Sequence, residues 1–145
     1  MKRVLRPAVT IGRYIRLTEY LVRNIFRPME MLPATLFTAL AHDSRLRCLL
    51  LMLAHKELCV CELTYTVGAS QPHMSRHLSH LREAGLVLDR REGLWIYYRI
   101  NPELPSWVNR ILHETARGVQ TIMPFAQDPD TLKTMPNRPG ASRCA

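Results

Sequence analysis

Apolar residues recur every three to four positions as far as Gly85 and again beyond Pro105, with a two-residue alternation between. The first spacing predicts helices and the second a pair of strands. Leu32, Leu36, Phe37 and Leu40 give a short apolar face, and Asp43 offers an N-cap for a second helix carrying Leu46, Leu49, Leu50 and Leu53. A third short helix is predicted from Cys61 to Val67, ending at Gly68, a residue suited to the left-handed position past a helix end. Ser70 restarts the chain as a cap and Pro72 is tolerated in the first turn of a fourth helix, Gln71 to Ala84, closed by Gly85. Helix, glycine-containing turn and capped helix form the helix-turn-helix pattern.

Past Gly85, Leu86 to Leu88 lead into Asp89 and Arg90. After a turn placed at Arg91-Glu92-Gly93, Leu94, Ile96, Tyr98 and Ile100 alternate with Trp95, Tyr97 and Arg99. This predicts a β-hairpin directly after the fourth helix, a wing. Pro102 and Pro105 end the strand, and Val108, Ile111, Leu112, Thr115, Val119 and Ile122 line one face of a final helix. The expected fold is mainly α with a β-hairpin wing, a winged helix-turn-helix over residues 31–123. Residues 124–145, with four prolines and little apolar content, are expected to be a disordered tail. Residues 1–30 form a basic extension bounded by Pro28 and Pro33. It reads as an upstream start wrongly included, with Met29 and Met31 as later starts, as an arm on DNA phosphates, or as a surface-seeking or partner-binding amphipathic helix.

At 145 residues, 47% hydrophobic and 22% charged, the chain fits a single globular core and excludes a fibrous repeat or an acidic disordered protein. Its formal charge of +8 raises the prior for an anionic partner. Residues 1–30 hold seven bases and two acids, whereas residues 31–119 hold ten and eight. Nucleic-acid binding by the central segment therefore rests on where its charges point. Charges interrupt every apolar stretch, so no membrane span is expected, and a secretory signal is not evident. Four unevenly placed cysteines do not make a disulfide framework, which suits a reducing cytoplasm.

On the fourth helix Met74, Leu78 and Leu81 share one face, while Arg76 projects about 200° from Met74, with Ser79 and His80 on the same outward side. Gln71, His73 and Ser75 occupy the first turns, where recognition helices meet base edges. Gln71 suits adenine, and Arg76 guanine or a phosphate. Arg90 and Arg91, placed at the wing tip, would straddle the neighbouring backbone. The competing reading of these arginines is a solvated face. His77, close to the apolar stripe, reads as a packed or phosphate-touching residue.

Cys59 and Cys61 stand directly ahead of the turn into the fourth helix. In a regular helix residues i and i+2 lie about 200° apart, but in an extended segment they share a face, so chelation by both sulfurs and helix formation are expected to compete. A soft ion holding both would bend the first turn of the third helix and displace the fourth. Cys48, between Arg47 and Leu49 on the second helix, reads as core, and Cys144 as either a spectator or a third thiolate. Two other readings of the pair are a redox switch on the same DNA-binding fold and a thiol enzyme or metal carrier. The last lacks a Cys-x-x-Cys ahead of a βαβ pattern and a His with an acidic orienter beside either cysteine in sequence.

The stretches ELCVCEL (Glu57 to Leu63), SQPHMSRHLSHLREAGL (Ser70 to Leu86) and LDRREGLWIYYR (Leu88 to Arg99) resemble, in order and spacing, the ArsR/SmtB family of winged-helix repressors, specifically its arsenic-responsive ArsR branch. The resemblance covers about residues 31–119. It implies a homodimer joined through the first and last core helices, binding of a palindromic operator in double-stranded DNA, repression of an arsenic-resistance operon, and release on binding As(III) or Sb(III). No organic cofactor and no enzymatic activity are implied. One departure stands out: arsenic sensors of this branch place a third thiol three residues after the second, where this chain has Thr64. Completion by Cys144, by a water or small thiol, by Cys48 after rearrangement, or a two-coordinate site all remain open. Zinc-sensing branches use Asp and His pairs on the last helix, which here has only His113 as a His.

Overall fold

The computed structural model describes residues 30–139, so the basic extension up to Met29 and Cys144 lie outside the described residues. Among the described residues six helices and three strands follow in the order α1 (Pro33–Leu40), α2 (Asp43–His55), β1 (Glu57–Cys59), α3 (Val60–Val67), α4 (Gln71–Glu83), β2 (Val87–Glu92), β3 (Trp95–Ile100), α5 (Ser106–Val119) and α6 (Asp128–Lys133). The core draws on every layer: Leu36 from α1, Leu49 and Met52 from α2, Leu63 from α3, Met74, Leu78 and Leu81 from α4, and Val108 and Leu112 from α5 are buried. The predicted apolar stripe of α4 is thus the face that packs.

Local signals set most boundaries. Pro33 starts α1, where its missing N–H costs nothing. Gly68 and Gly85 take positive φ at the ends of the α3 and α4 segments, a conformation that excludes most side chains. The cap of α2 is His42 rather than Asp43: its Nδ1 accepts from Ser44 N–H, and Asp43 is the first helical residue. Ser70 holds the extended N-cap conformation of α4 without a side-chain hydrogen bond.

The wing departs from its prediction in three ways. The hairpin turn is Gly93-Leu94, with Gly93 at φ +61°, so Arg91 and Glu92 belong to β2, opposite Ile96 and Trp95. A two-residue loop that needs positive φ at its first position selects that glycine. A third strand, β1, adds antiparallel to β3 and gives the order β1-β3-β2, with Leu58 opposite Tyr98 and Cys59 opposite Tyr97. Tyr97 and Tyr98 are consequently both buried, which breaks the expected alternation.

The expected disordered tail is also corrected. Residues 124–139 fold onto the body: Leu132 is fully buried, and Asp128 pairs with Arg47 at 2.5 and 2.9 Å. Arg47 further donates to the carbonyls of Val67 (3.1 Å) and Thr66 (3.2 Å), so one guanidinium ties α2, the C-terminal end of α3 and α6 together. The last core helix stops at Val119, leaving Ile122 and Met123 exposed in the segment before α6. Among the described residues no helix is long and apolar enough to cross a membrane.

Candidate thiol site and nucleic-acid surface

Cys59 is at once the last residue of β1 and the N-cap of α3, with extended φ −81° and ψ 162°. It fills the role usually taken by Ser or Thr in a capping box. Glu62 N–H donates to Cys59 Sγ at 3.4 Å, and Cys59 N–H donates to Glu62 Oε2 at 2.7 Å. Because Cys59 lies outside the helix, its side chain is not bound by helical spacing, and its sulfur meets that of Cys61 in a disulfide with Cα atoms 5.4 Å apart. The expected conflict between chelation and helix is overturned: the two sulfurs come together with α3 intact. Cys59 is buried and Cys61 partly exposed, so the pair is reached from the Cys61 side.

Glu62, itself buried, uses its second oxygen to accept from Arg138 Nε at 2.5 Å. Glu62 and Arg138 were not singled out in the sequence. Cys-x-x-Glu ahead of an apolar run is the signal that carries the first, while the second, 76 residues away, carries none. Cys48 behaves as predicted for a core residue. It is fully buried, its thiol contacts Met74 Sδ at 3.4 Å, and burial pushes its pKa up to about 12. It is therefore neutral and closed to ligands. Thr64 Oγ1 is buried without a hydrogen-bond partner.

On α4, Gln71, His73, Ser75, Arg76 and His80 are all exposed, while Met74, Leu78 and Leu81 are buried; Gln71 is in line with the buried stripe but stands at the open N-terminal end of the helix. His80 sits apart from the first-turn residues, facing α1 and Arg45 across an open cavity. His77 is half-buried, with its ring centroid 4.3 Å from that of His42 and its Nδ1 without a partner. Burial first, and then the neighbouring His42, lower its pKa.

The two wing arginines differ. Arg90 lies mid-strand opposite Tyr97, grips the Glu57 carboxylate with Nε (2.8 and 3.0 Å) and Nη2 (2.5 Å), and bonds Glu92 through Nη1 (2.5 Å). Its guanidinium rests 4.6 Å from the Tyr97 ring centroid. Arg90 therefore buckles β1 to β2, and the expectation of a free charge at the tip is corrected for it. Arg91 donates to Gly93 O at 3.2 Å and is exposed beside the turn.

A helix-turn-helix with a polar outward helix, followed by a wing, defines a winged-helix DNA-binding protein. Comparison with known proteins agrees. The pattern of the family described as "Bacterial regulatory protein, arsR family" matches residues 43–88. The chain is 48% identical over 101 residues to the arsenic resistance transcriptional regulator ArsR1 of Pseudomonas putida, spanning 70% of this chain and 76% of that relative. It is 47% identical over 90 residues to the arsenical resistance operon repressor of Escherichia coli, spanning 62% and 77%. Among solved structures it is similar to HlyU from Vibrio cholerae, with TM-score 0.52 and 32% identity over 58% of this chain and 87% of that one. It is also similar to the AntR antimony-specific transcriptional repressor, with TM-score 0.50 and 25% identity over 82% and 96%. The chain belongs to the ArsR family of bacterial regulatory proteins and is a DNA-binding transcriptional regulator.

Proposed function

We propose that this chain is a homodimeric cytoplasmic repressor that holds a palindromic operator of an arsenic-resistance operon and releases it when As(III) or Sb(III) engages Cys59 and Cys61. The observation that carries the reading is the meeting of the two sulfurs at the cap of α3, the helix that leads into α4. Once a cellular dithiol has supplied two electrons and two protons to open the disulfide, the two adjacent thiols fit a soft, thiophilic trivalent metalloid, each replacing one of its hydroxyls with release of water. The exposed Leu32 and Phe37 on the α1 side, with Ile122 and Met123 after α5, are the apolar surface available to a second copy. In the dimer the two α4 helices would enter successive major grooves, roughly 34 Å apart.

Release follows from what the cysteines already hold. The two sulfurs meet without breaking the cap, so on this reading release needs the metalloid itself: bonded to Cys59 Sγ it would compete with Glu62 N–H for that sulfur's lone pairs, and loss of the cap would change the start of α3 by about 0.5–2 kcal/mol. That falls within reach of the roughly 1–3 kcal/mol typical of coupling between sites. The disturbance has two short exits. One runs through α3 into the turn before α4, and the other through β1, whose Cys59 lies opposite Tyr97 of the wing. The contact of the two sulfurs also favours a second reading, in which a two-electron oxidant closes the pair and the oxidised form is the released one.

An operator mobility shift titrated separately with arsenite, antimonite, zinc, cadmium and peroxide tests both. Release by the two metalloids under reducing conditions supports the first reading, and release by peroxide alone the second. Cys61→Ser is expected to keep repression and lose release, whereas Arg76→Ala weakens operator binding by about 1–3 kcal/mol and keeps metalloid binding. Normal arsenite release from Cys61→Ser sinks the proposed trigger.

A further inference from the structure

We propose that Arg138 is a positioning residue for the cysteine pair: acting through Glu62, it sets how firmly Cys59 is held at the start of α3 and so how much inducer release requires. The inference rests on the metalloid reading above and adds to it a residue from the far end of the described chain.

Three side chains are joined in series. Glu62 has only 2% of its side chain accessible, and both carboxylate oxygens are taken, Oε2 by Cys59 N–H at 2.7 Å and Oε1 by Arg138 Nε at 2.5 Å. Cys59 Sγ accepts in return from Glu62 N–H at 3.4 Å, so the two halves of the capping box share the same two residues and loosen together. A carboxylate with a single backbone partner can turn about its side-chain torsions. A charged donor on its other oxygen adds a stronger, directional bond that fixes it in place. Arg138 is itself placed from the body of the fold. Asp128 bonds Arg47, Leu132 is fully buried, and the Tyr65 hydroxyl of α3 meets Thr134 at 3.4–3.5 Å. With 22% of its side chain accessible, Arg138 meets Glu62 largely out of water, where a charged hydrogen bond is worth more than on the open surface.

Capped, α3 aims α4 at the operator, whereas a metalloid on Cys59 Sγ favours the uncapped form. Arg138 stabilises only the capped form, so its removal moves the balance toward the uncapped one. DNA is then held less tightly and the metalloid more tightly. The ratio of the two affinities carries the whole shift, however it divides between them. A residue that served folding alone would weaken both.

The test uses the full chain, reduced, with two separate probes: arsenite, and a DNA duplex selected for tight binding to the wild-type chain. Arg138→Ala is expected to raise the ratio of arsenite affinity to DNA affinity by on the order of fivefold or more. Arg138→Lys, which keeps the charge without the planar fork, should fall between alanine and wild type. In a Glu62→Gln background, where the ion pair is already gone, Arg138→Ala should add nothing. An unchanged ratio, a weakening of both affinities, or a full effect in the Glu62→Gln background overturns the role of Arg138 and leaves the Cys59–Cys61 trigger standing. Failure of the wild-type chain to bind arsenite at all overturns both.

Discussion

His77 lies on the buried edge of α4 against His42, the cap of α2, with Arg45, His73 and His80 also in its field. Burial and these cationic or protonatable neighbours disfavour its charged form, so its folded pKa lies below the ordinary value near 6.5. The unfolded chain then binds more protons than the folded one, and stability rises with pH through this range and is lost as pH falls below it. Urea midpoints at pH 5, 6 and 7 should increase in that order, and His77→Gln should flatten the dependence. A slope remains from His55, whose pKa is lowered by burial and then by Arg138. Part of this scale was readable in advance. The cysteine pair, the core position of Cys48 and the packed position of His77 all follow from spacing. The role of Cys59 as a cap did not, because helical angles apply only to residues inside a helix, and one residue of shift at the boundary frees the side chain.

The elements were mostly legible because helix periods, prolines and glycines act locally. Their misses are local as well. β1 is three residues long, too short to show alternation, and exists because β3 offers it an edge. The hairpin turn moved toward the C-terminus because a two-residue loop needs Gly93 at its first position, and this shift separates the fates of two adjacent arginines. Arg90 is spent on Glu57 and Glu92, while Arg91 stays beside the turn. Operator affinity measured against salt should accordingly lose about one unit of slope in Arg91→Ala. In Arg90→Ala the slope should be nearly unchanged. Equal losses of slope in the two variants would contradict the division.

At the scale of the whole molecule, the carboxy-terminal segment is where sequence pattern and structure part. Its prolines and polar residues read as unstructured, yet one leucine and one ion pair hold it, and neither makes a periodic signal. The pair is nearly buried, with 12% of Arg47 and 6% of Asp128 side chains accessible. Removing one partner leaves the other charge uncompensated, a loss of about 3–5 kcal/mol for buried pairs. Asp128→Ala should therefore lower the melting temperature by on the order of 10 °C. A variant that melts with the wild type would show the carboxy-terminal segment to be an ornament on the fold.

The Arg47 hub also decides where this protein can be trimmed. Cutting at the end of α5, where the helical pattern stops, would strip the guanidinium of its carboxylate and open the seat of Leu132 to water. The shortest self-sufficient fragment thus runs on through Arg138, and tags or fusion partners belong beyond that residue.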